Sequence, residues 1–544
     1  MTGSETFDYI IVGAGSSGCV LANRLTASGR HRVLLLEAGG ADRNLWIHIP
    51  LGYGKLFSNP KVNWLYASEP EPELNGRSVI QPRGKVLGGS SSINGLLYIR
   101  GQAQDFDHWR QLGNAGWSYE DVLPYFRRAE DQERGEDAFH GVGGPLCVSN
   151  VREPHPLCEA FLTAVEQAGL PRNDDFNGAS QEGAGYYQLT ARNGRRWSTA
   201  VGYLKPARRR HNLAVVSNAL TTRILFEGRR AVGVEYRQGD VTRTARAGRE
   251  VIVAGGAFNS PQLLQLSGLG PAGLLQQHGI GVIADMPGVG ADLQDHLQVR
   301  LQYRCTDPIT MNDVFASARL RFAAGLRYIL QRKGLLTIGA AYAGGFFRTD
   351  ASVASPDVQV HMIIFSADTV GAPLHAFPGF IASVCVLRPE SRGTVHIRSA
   401  DPREPPAIQP RYLSAAADRD TITRGLRLLR RIMDQAAIRR YIAEERVPGP
   451  QCESDADLLA YAREVGTTVF HPTSTCRMGS DVTAVVDERL RVRGFEALRV
   501  VDGSIMPSLV SGNTNAAVIM IAEKGADMIL ADAKAGAGTA RAAA

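Results

Sequence analysis

A strand-like run, Phe7-Asp8-Tyr9-Ile10-Ile11-Val12, leads directly into Gly13-Ala14-Gly15-Ser16-Ser17-Gly18 and then into a helical stretch from Cys19 to Thr26. Of everything in this sequence, that strand, turn and helix most restrict the fold. Gly13 permits the tight turn, Gly15 lets the backbone approach a pyrophosphate, and Gly18 lets helix and strand pack closely. The helix N-terminus then faces the phosphates. A second apolar strand, Arg32 to Leu36, ends at Glu37, about 20 residues beyond the glycines, where a carboxylate accepts from a ribose hydroxyl. The pattern predicts a Rossmann-type dinucleotide site and does not separate FAD from NAD.

A chain of 544 residues is too long for one hydrophobic core and calls for two lobes. Short apolar runs and Gly-rich turns of an α/β sheet occupy residues 7 to about 155 and about 213 to 300, and begin again near Thr468. Residues 156–212 and 301–460 read differently. They mix period-two alternation, as in Val358 to Ile364, with helical stretches such as Thr421 to Ala436. That implies an α+β second lobe, an antiparallel sheet flanked by helices, with one sheet face packed and the other lining something. The nucleotide-binding lobe is thus expected to comprise 1–155, 213–300 and 461–532. The Ala/Gly-rich stretch from Ala533 to Ala544 reads as a disordered tail.

The formal charge of +6 is spread thinly, which argues against nucleic acid and leaves peripheral contact with an anionic membrane open. The dense basic run Arg208-Arg209-Arg210-His211 has no interleaved aromatics and reads as a solvated turn. Seven scattered cysteines, without CxxC or Cys/His spacing, indicate a reducing compartment and no metal site. With no leader-like segment and no apolar run of about 18 residues, the expectation is a cytoplasmic protein, with peripheral attachment to the inner face of a membrane open.

Two further segments separate the nucleotides. Gly84-Lys85-Val86-Leu87-Gly88-Gly89-Ser90-Ser91-Ser92-Ile93-Asn94-Gly95-Leu96-Leu97-Tyr98 resembles the first signature of the glucose-methanol-choline (GMC) oxidoreductases, and Gly256 to Gly270 resembles the second. Small residues in the first let backbone pack against a flavin ring. With the N-terminal fingerprint and a matching C-terminal block, the resemblance spans residues 7 to about 530. Around Asn75 to Gly84 it is similar to bacterial alcohol dehydrogenases that use a non-nicotinamide acceptor. The resemblance implies FAD as cofactor, a substrate-binding role for the second lobe, and FAD contacts at Gly13, Gly15, Gly18, Glu37, Trp64, Val86, Gly89, Asn94, Gly95, Leu96, Thr221, Asp502 and Thr514. Members that link FAD covalently through histidine carry it where this chain has Ile93, so noncovalent FAD is implied. Asp295 and His296, in a family-like run from Val289, are assigned to domain packing.

By the same resemblance, His471 accepts the alcohol proton and Asn513 holds the developing alkoxide while hydride leaves for flavin N5. Imidazole suits a base because its pKa lies near working pH, and an amide orients without titrating. Many members have a second histidine where Asn513 stands, which leaves His471 as the sole base. Tyr342, Val469 and Phe470 are substrate-pocket candidates. Choline enzymes carry glutamate where Tyr342 stands, so a neutral primary alcohol is favoured over choline. The electron acceptor is expected to be a quinone or another carrier. Small Val469 leaves room for oxygen, so an alcohol oxidase is the near alternative. A non-redox lyase or a flavin photodecarboxylase on the same fold is more remote.

Overall fold

The computed structural model describes residues 5–369 and 371–542. The chain enters a first sheet with β1 (Thr6–Val12) and, after helix α1 (Ser16–Thr26), β2 (Val33–Glu37). It leaves through helix α2 (Pro156–Gln167) for β3 (Gly183–Tyr186) of a second sheet. It returns with β4 (Leu213–Ser217), β5 (Ala219–Glu227), β6 (Arg230–Gln238), β7 (Val241–Val253) and helix α3 (Gly256–Leu266). A second excursion places β8 (Leu297–Cys305), helix α4 (Ala318–Gln331), β9 (Ala343–Phe347), β10 (Val358–Ile363) and β11 (Gly379–Val386). It continues with helix α5 (Ala416–Met433), β12 (Ile442–Val447), helix α6 (Asp455–Val465) and β13 (Thr467–Thr468). The chain closes on the first sheet with β14 (Leu498–Val500) and helix α7 (Asn515–Ala542).

The first sheet runs β4-β2-β1-β7-β6-β5, with β14 beside the end of β7. Its core strands β4, β2, β1, β7 and β14 are parallel. That follows from sequence: Tyr9 to Val12 and Val33 to Leu36 are apolar on both faces, as a doubly covered parallel sheet requires. The second sheet runs β12-β8-β11-β10-β9-β3, with β13 beside β8, and is antiparallel throughout. Alternation is strict in β10. Val358, Val360 and Met362 pack into the core formed with α2, α5 and α6, whereas His361 and Ile363 face a cavity between sheet and first lobe. This α/β architecture with an α+β second lobe matches the fold class read from the alternation.

Three boundaries move. Strand β8 pairs wholly within the second sheet, so a boundary at 300 divides it. Leu458 and Ala462 of α6 lie in the second core, so the last first-lobe segment starts after β13 rather than at 461. Ala200, Tyr203 and Leu204, assigned by sequence to the second lobe, are buried in the first core. The expected tail from Ala533 is helical through Ala542, because alanine has the highest helix propensity and continues α7. Its last two residues lie outside the described ones. The basic run is largely exposed, but Arg210 reaches back to Asn23 and Thr26 at the end of α1.

Candidate active site

A cavity of about 770 Å³ runs from the end of β2 to the floor of the second sheet, within the range of small-molecule sites. At one end the glycine turn behaves as its spacing demands. A Cβ on Gly13 would stand 2.5 Å from Ala254 O, and one on Gly18 would stand 1.8 Å from Gly13 O. Gly13 and Gly15 line the cavity; Gly18 does not, and its part is to let α1 pack on β1. No side chain caps α1 and no acid occupies its first turn, so its first amides, which lack intrahelical partners as at any helix start, remain available to an anion. Glu37 accepts from Ala14 N at 2.9 Å and Gly39 N at 2.8 Å, and burial pushes its carboxyl up to about 7.

The flavin signature folds against this turn. Gly89 has φ +52, and a Cβ there would stand 2.6 Å from Gly15 Cα. On Gly95 a Cβ would stand 2.4 Å from Ala340 Cβ. Buried Arg196 donates to Asn94 Oδ1 and O, both at 2.6 Å, and so fixes that amide. Asp502 accepts from Gly256 N at 2.8 Å and Ser260 Oγ at 2.6 Å. Trp64, Gly89, Asn94, Gly95, Leu96, Thr221, Asp502 and Thr514 all line the cavity. The residues present fit FAD: Gly13, Gly84, Gly89 and Gly95 have no room for a Cβ, and the hydroxyls of Ser17 and Thr221, both on the lining, are buried without a partner.

Besides Gly18, two other expected positions are absent from the lining. Val86 is fully buried among Ile47, Leu56, Val62 and Ile93, away from the cavity lining, because the turn before the signature directs it into that small core. Tyr342 packs against His155 and Tyr186 and donates to Glu153 O at 2.6 Å, so it faces away from the cavity, which its neighbours Ala340 and Ala341 line.

At the opposite end His471, Asn513, Val469 and Phe470 come together. Phe470 has φ +70, an uncommon conformation for a bulky residue. It is held by Arg83 on its carbonyl at 2.5 Å and by donation of its N–H to Thr468 Oγ1 at 2.6 Å. Asp295 accepts from His471 N at 2.7 Å, and His296 O accepts from Val469 N at 2.9 Å. The segment assigned to packing therefore carries the His471 loop, and it does more. His296 Nε2 lies 2.9 Å from Leu387 O, and His296 Nδ1 lies 2.9 Å from His471 Nδ1. A carbonyl only accepts, so His296 carries its proton on Nε2 and accepts at Nδ1. His471 must then donate from Nδ1, which leaves the Nε2 lone pair facing the cavity.

Asn513 Nδ2 lies 3.2 Å from His471 Nε2, and Asn513 Oδ1 accepts from Gln359 at 3.3 Å, which sets the amide orientation. Burial, followed by His296, Arg83 and His361, holds the His471 pKa well below its usual range. The arrangement is a neutral imidazole whose Nε2 lone pair accepts from the Asn513 amide at the cavity wall. The roles of His296, Gln359 and Arg196 were not anticipated, because none of them lies in a motif that marks it for that role.

Comparison with known proteins gives concordant results. Family models described as GMC oxidoreductase match residues 7–298 and 389–522. An oxygen-dependent choline dehydrogenase of Photobacterium profundum is 44% identical over 97% of this chain and 93% of its own length. An alcohol dehydrogenase [acceptor] of Pseudomonas putida is 43% identical over 96% of both chains. Among solved structures, pyridoxine 4-oxidase from Mesorbium loti superposes with TM-score 0.87 at 32% identity, covering 96% of this chain and 98% of that one.

Proposed function

This chain belongs to the GMC oxidoreductases, FAD-dependent enzymes acting on CH–OH donors, and from that premise we propose that it oxidises a primary alcohol to the aldehyde. The observation that carries the reading is the hydrogen-bond chain from Leu387 O through His296 to His471 Nδ1, which assigns the His471 proton to Nδ1 and leaves Nε2 unprotonated beside Asn513 on the cavity wall. Bound FAD supplies the hydride acceptor, N5 of its ring. His471 Nε2 takes the hydroxyl proton, and the remaining N–H of Asn513 Nδ2 holds the oxygen as charge develops on it. The imidazolium so formed keeps its Nδ1 proton hydrogen-bonded to His296. Ile93, at the position used elsewhere for covalent attachment, offers no ligand atom, which supports noncovalent FAD that acid precipitation releases.

A primary alcohol without a cationic group fits better than choline. Among the described residues, the only carboxylates lining the cavity are Glu37 and Asp502, both engaged at the nucleotide end. The test is anaerobic photometry: primary alcohols should bleach the flavin in the dark, and choline should do so poorly. A flavin that no alcohol bleaches would dismiss the reading.

For the electron acceptor we favour a membrane quinone over oxygen. Of the side chains of α4, Tyr328 alone is buried. Phe322, Leu326, Ile329 and Leu330 are 73%, 44%, 67% and 71% exposed, beside Arg319, Arg321 and Lys333. An apolar surface edged by cations suits an anionic lipid interface, and Phe315, just before α4, lines the cavity. No described helix is long and apolar enough to cross a membrane. Sedimentation with anionic but not neutral vesicles, lost on Phe322→Ser with Ile329→Ser, is expected. Stoichiometric peroxide in air would instead mark an oxidase.

A further inference from the structure

We infer that the sheet floor of the cavity carries a recognition site for a monoanion, so that the alcohol oxidised here bears a carboxylate at the end remote from its carbinol carbon. The inference rests on the alcohol-oxidising reading above and names its substrate class.

Strands β8, β11 and β10 are neighbours, and their register sets Arg300 opposite Ser383 and Ser383 opposite His361. The three residues form one row across the sheet on the face turned from the helices, and Arg300 and His361 line the cavity. All three have unmet hydrogen-bonding capacity. Arg300 Nε, Ser383 Oγ and both ring nitrogens of His361 are buried without a partner, and His361 is 4% exposed. Among the described residues no hydrogen bond or ion pair engages the Arg300 guanidinium, and its electrostatic neighbours are the hydroxyls of Tyr53 and Tyr461 and the ring of His361.

Arg300 itself is half-buried, whereas the fully buried arginines are committed. Arg100 pairs with Glu130, Arg499 with Glu250 and Asp532, and Arg196 donates to Ile47 O, Ser91 O and Asn94. Arg300 by contrast is half-buried on the cavity wall with its Nε buried and unpartnered, and a ligand anion would supply the acceptor that a partly desolvated guanidinium lacks. Burial, then Arg300, presses His361 down to about 3, so it is neutral at working pH and the row carries one positive charge. One charge calls for a monoanion, and the planar fork of arginine matches a carboxylate. His361 also bears electrostatically on His471, which puts the row and the base in one chamber. The reaction is then HO–CH2–R–COO⁻ to OHC–R–COO⁻. The hydroxyl proton goes to His471, the hydride goes to FAD, and the carboxylate is unchanged.

The experiment uses the holoenzyme and measures anaerobic flavin reduction by straight-chain hydroxycarboxylates, 3-hydroxypropanoate through 8-hydroxyoctanoate, each against its matching 1-alkanol. At one or more chain lengths the ratio of second-order rates should favour the hydroxycarboxylate by about 10- to 100-fold, as a charge-assisted hydrogen bond provides. In Arg300→Met the ratio should collapse towards one, and in Arg300→Lys it should be intermediate, with flavin content confirmed for each. In parallel, butanoate through octanoate, which cannot be oxidised, should perturb the flavin spectrum with a dissociation constant at least about tenfold weaker in Arg300→Met. Ratios near one throughout, with carboxylates bound equally by wild type and Arg300→Met, overturn the subsite while alkanol oxidation leaves the alcohol reading intact. Arg300-dependent carboxylate binding with no reduction by any alcohol supports the subsite and overturns that reading.

Discussion

The chemistry turns on the proton placement of two imidazoles. Replacing His471 with alanine should lower the anaerobic flavin-reduction rate by about 10²- to 10⁴-fold at full flavin content. A base acts deprotonated, so the wild-type rate should fall as pH drops through the His471 pKa. Because that pKa is depressed, the falling limb should lie on the acid side of the ordinary histidine range and vanish in His471→Ala. Asn513→Ala should lower the rate and keep the limb. His296→Ala should slow reduction by roughly 10- to 100-fold, the size of a typical loss when the group orienting a functional histidine is removed, and His296→Gln should recover part of it by accepting from His471 Nδ1. Rapid-mixing rates across pH decide each case. His471 and Asn513 were legible because short motifs carry them. His296 was not, because which nitrogen bears a proton depends on a carbonyl 91 residues away, that of Leu387. Tyr342 was misplaced because a side chain just outside a strand is not bound by its alternation.

At the level of elements, close backbone approaches and the buried carboxylate of Glu523 help fix the first lobe. Gly89→Ala adds a Cβ 2.6 Å from Gly15 Cα at positive φ, so the signature must retreat from α1. Flavin occupancy should drop sharply while far-UV circular dichroism stays close to wild type. Glu523 of α7 is fully buried and accepts from Arg24 of α1 at 2.7 Å, Tyr203 at 2.8 Å and Arg128 at 2.8 Å. Glu523→Ala strands these donors and should cost about 3 to 5 kcal/mol in denaturant unfolding. Elements with a clear period, β1, β2, α1 and β10, could be read directly from the sequence. Boundaries could not, since β8 and α6 differ from first-lobe segments in their partners rather than in their composition. The Ala/Gly-rich end misled because low complexity and high helix propensity coincide there.

For the molecule as a whole, buried histidines tie stability to pH. Burial depresses His296 to about 4 and His361 to about 3, and lowers His471 as well. Below the unfolded value near 6.5 the unfolded chain binds protons that the folded one refuses. Their contribution to stability is therefore full above that pH and is lost as pH falls towards the folded values. Each histidine steepens the loss by up to about 1.4 kcal/mol per pH unit, and His361→Leu should flatten the profile between pH 6 and 4 in urea titrations. The order of strands in the first sheet has a different consequence, one of timing. Strand β1 is among the first segments made, yet its neighbour β7 follows more than 200 residues later, and β14, which pairs with β7, nearly 500 later. At about 5 to 20 residues per second, the ribosome leaves an apolar strand edge open for tens of seconds before its neighbour exists. During synthesis, an emerging copy is thus most exposed to capture by holdase chaperones, or by another nascent copy, along β1.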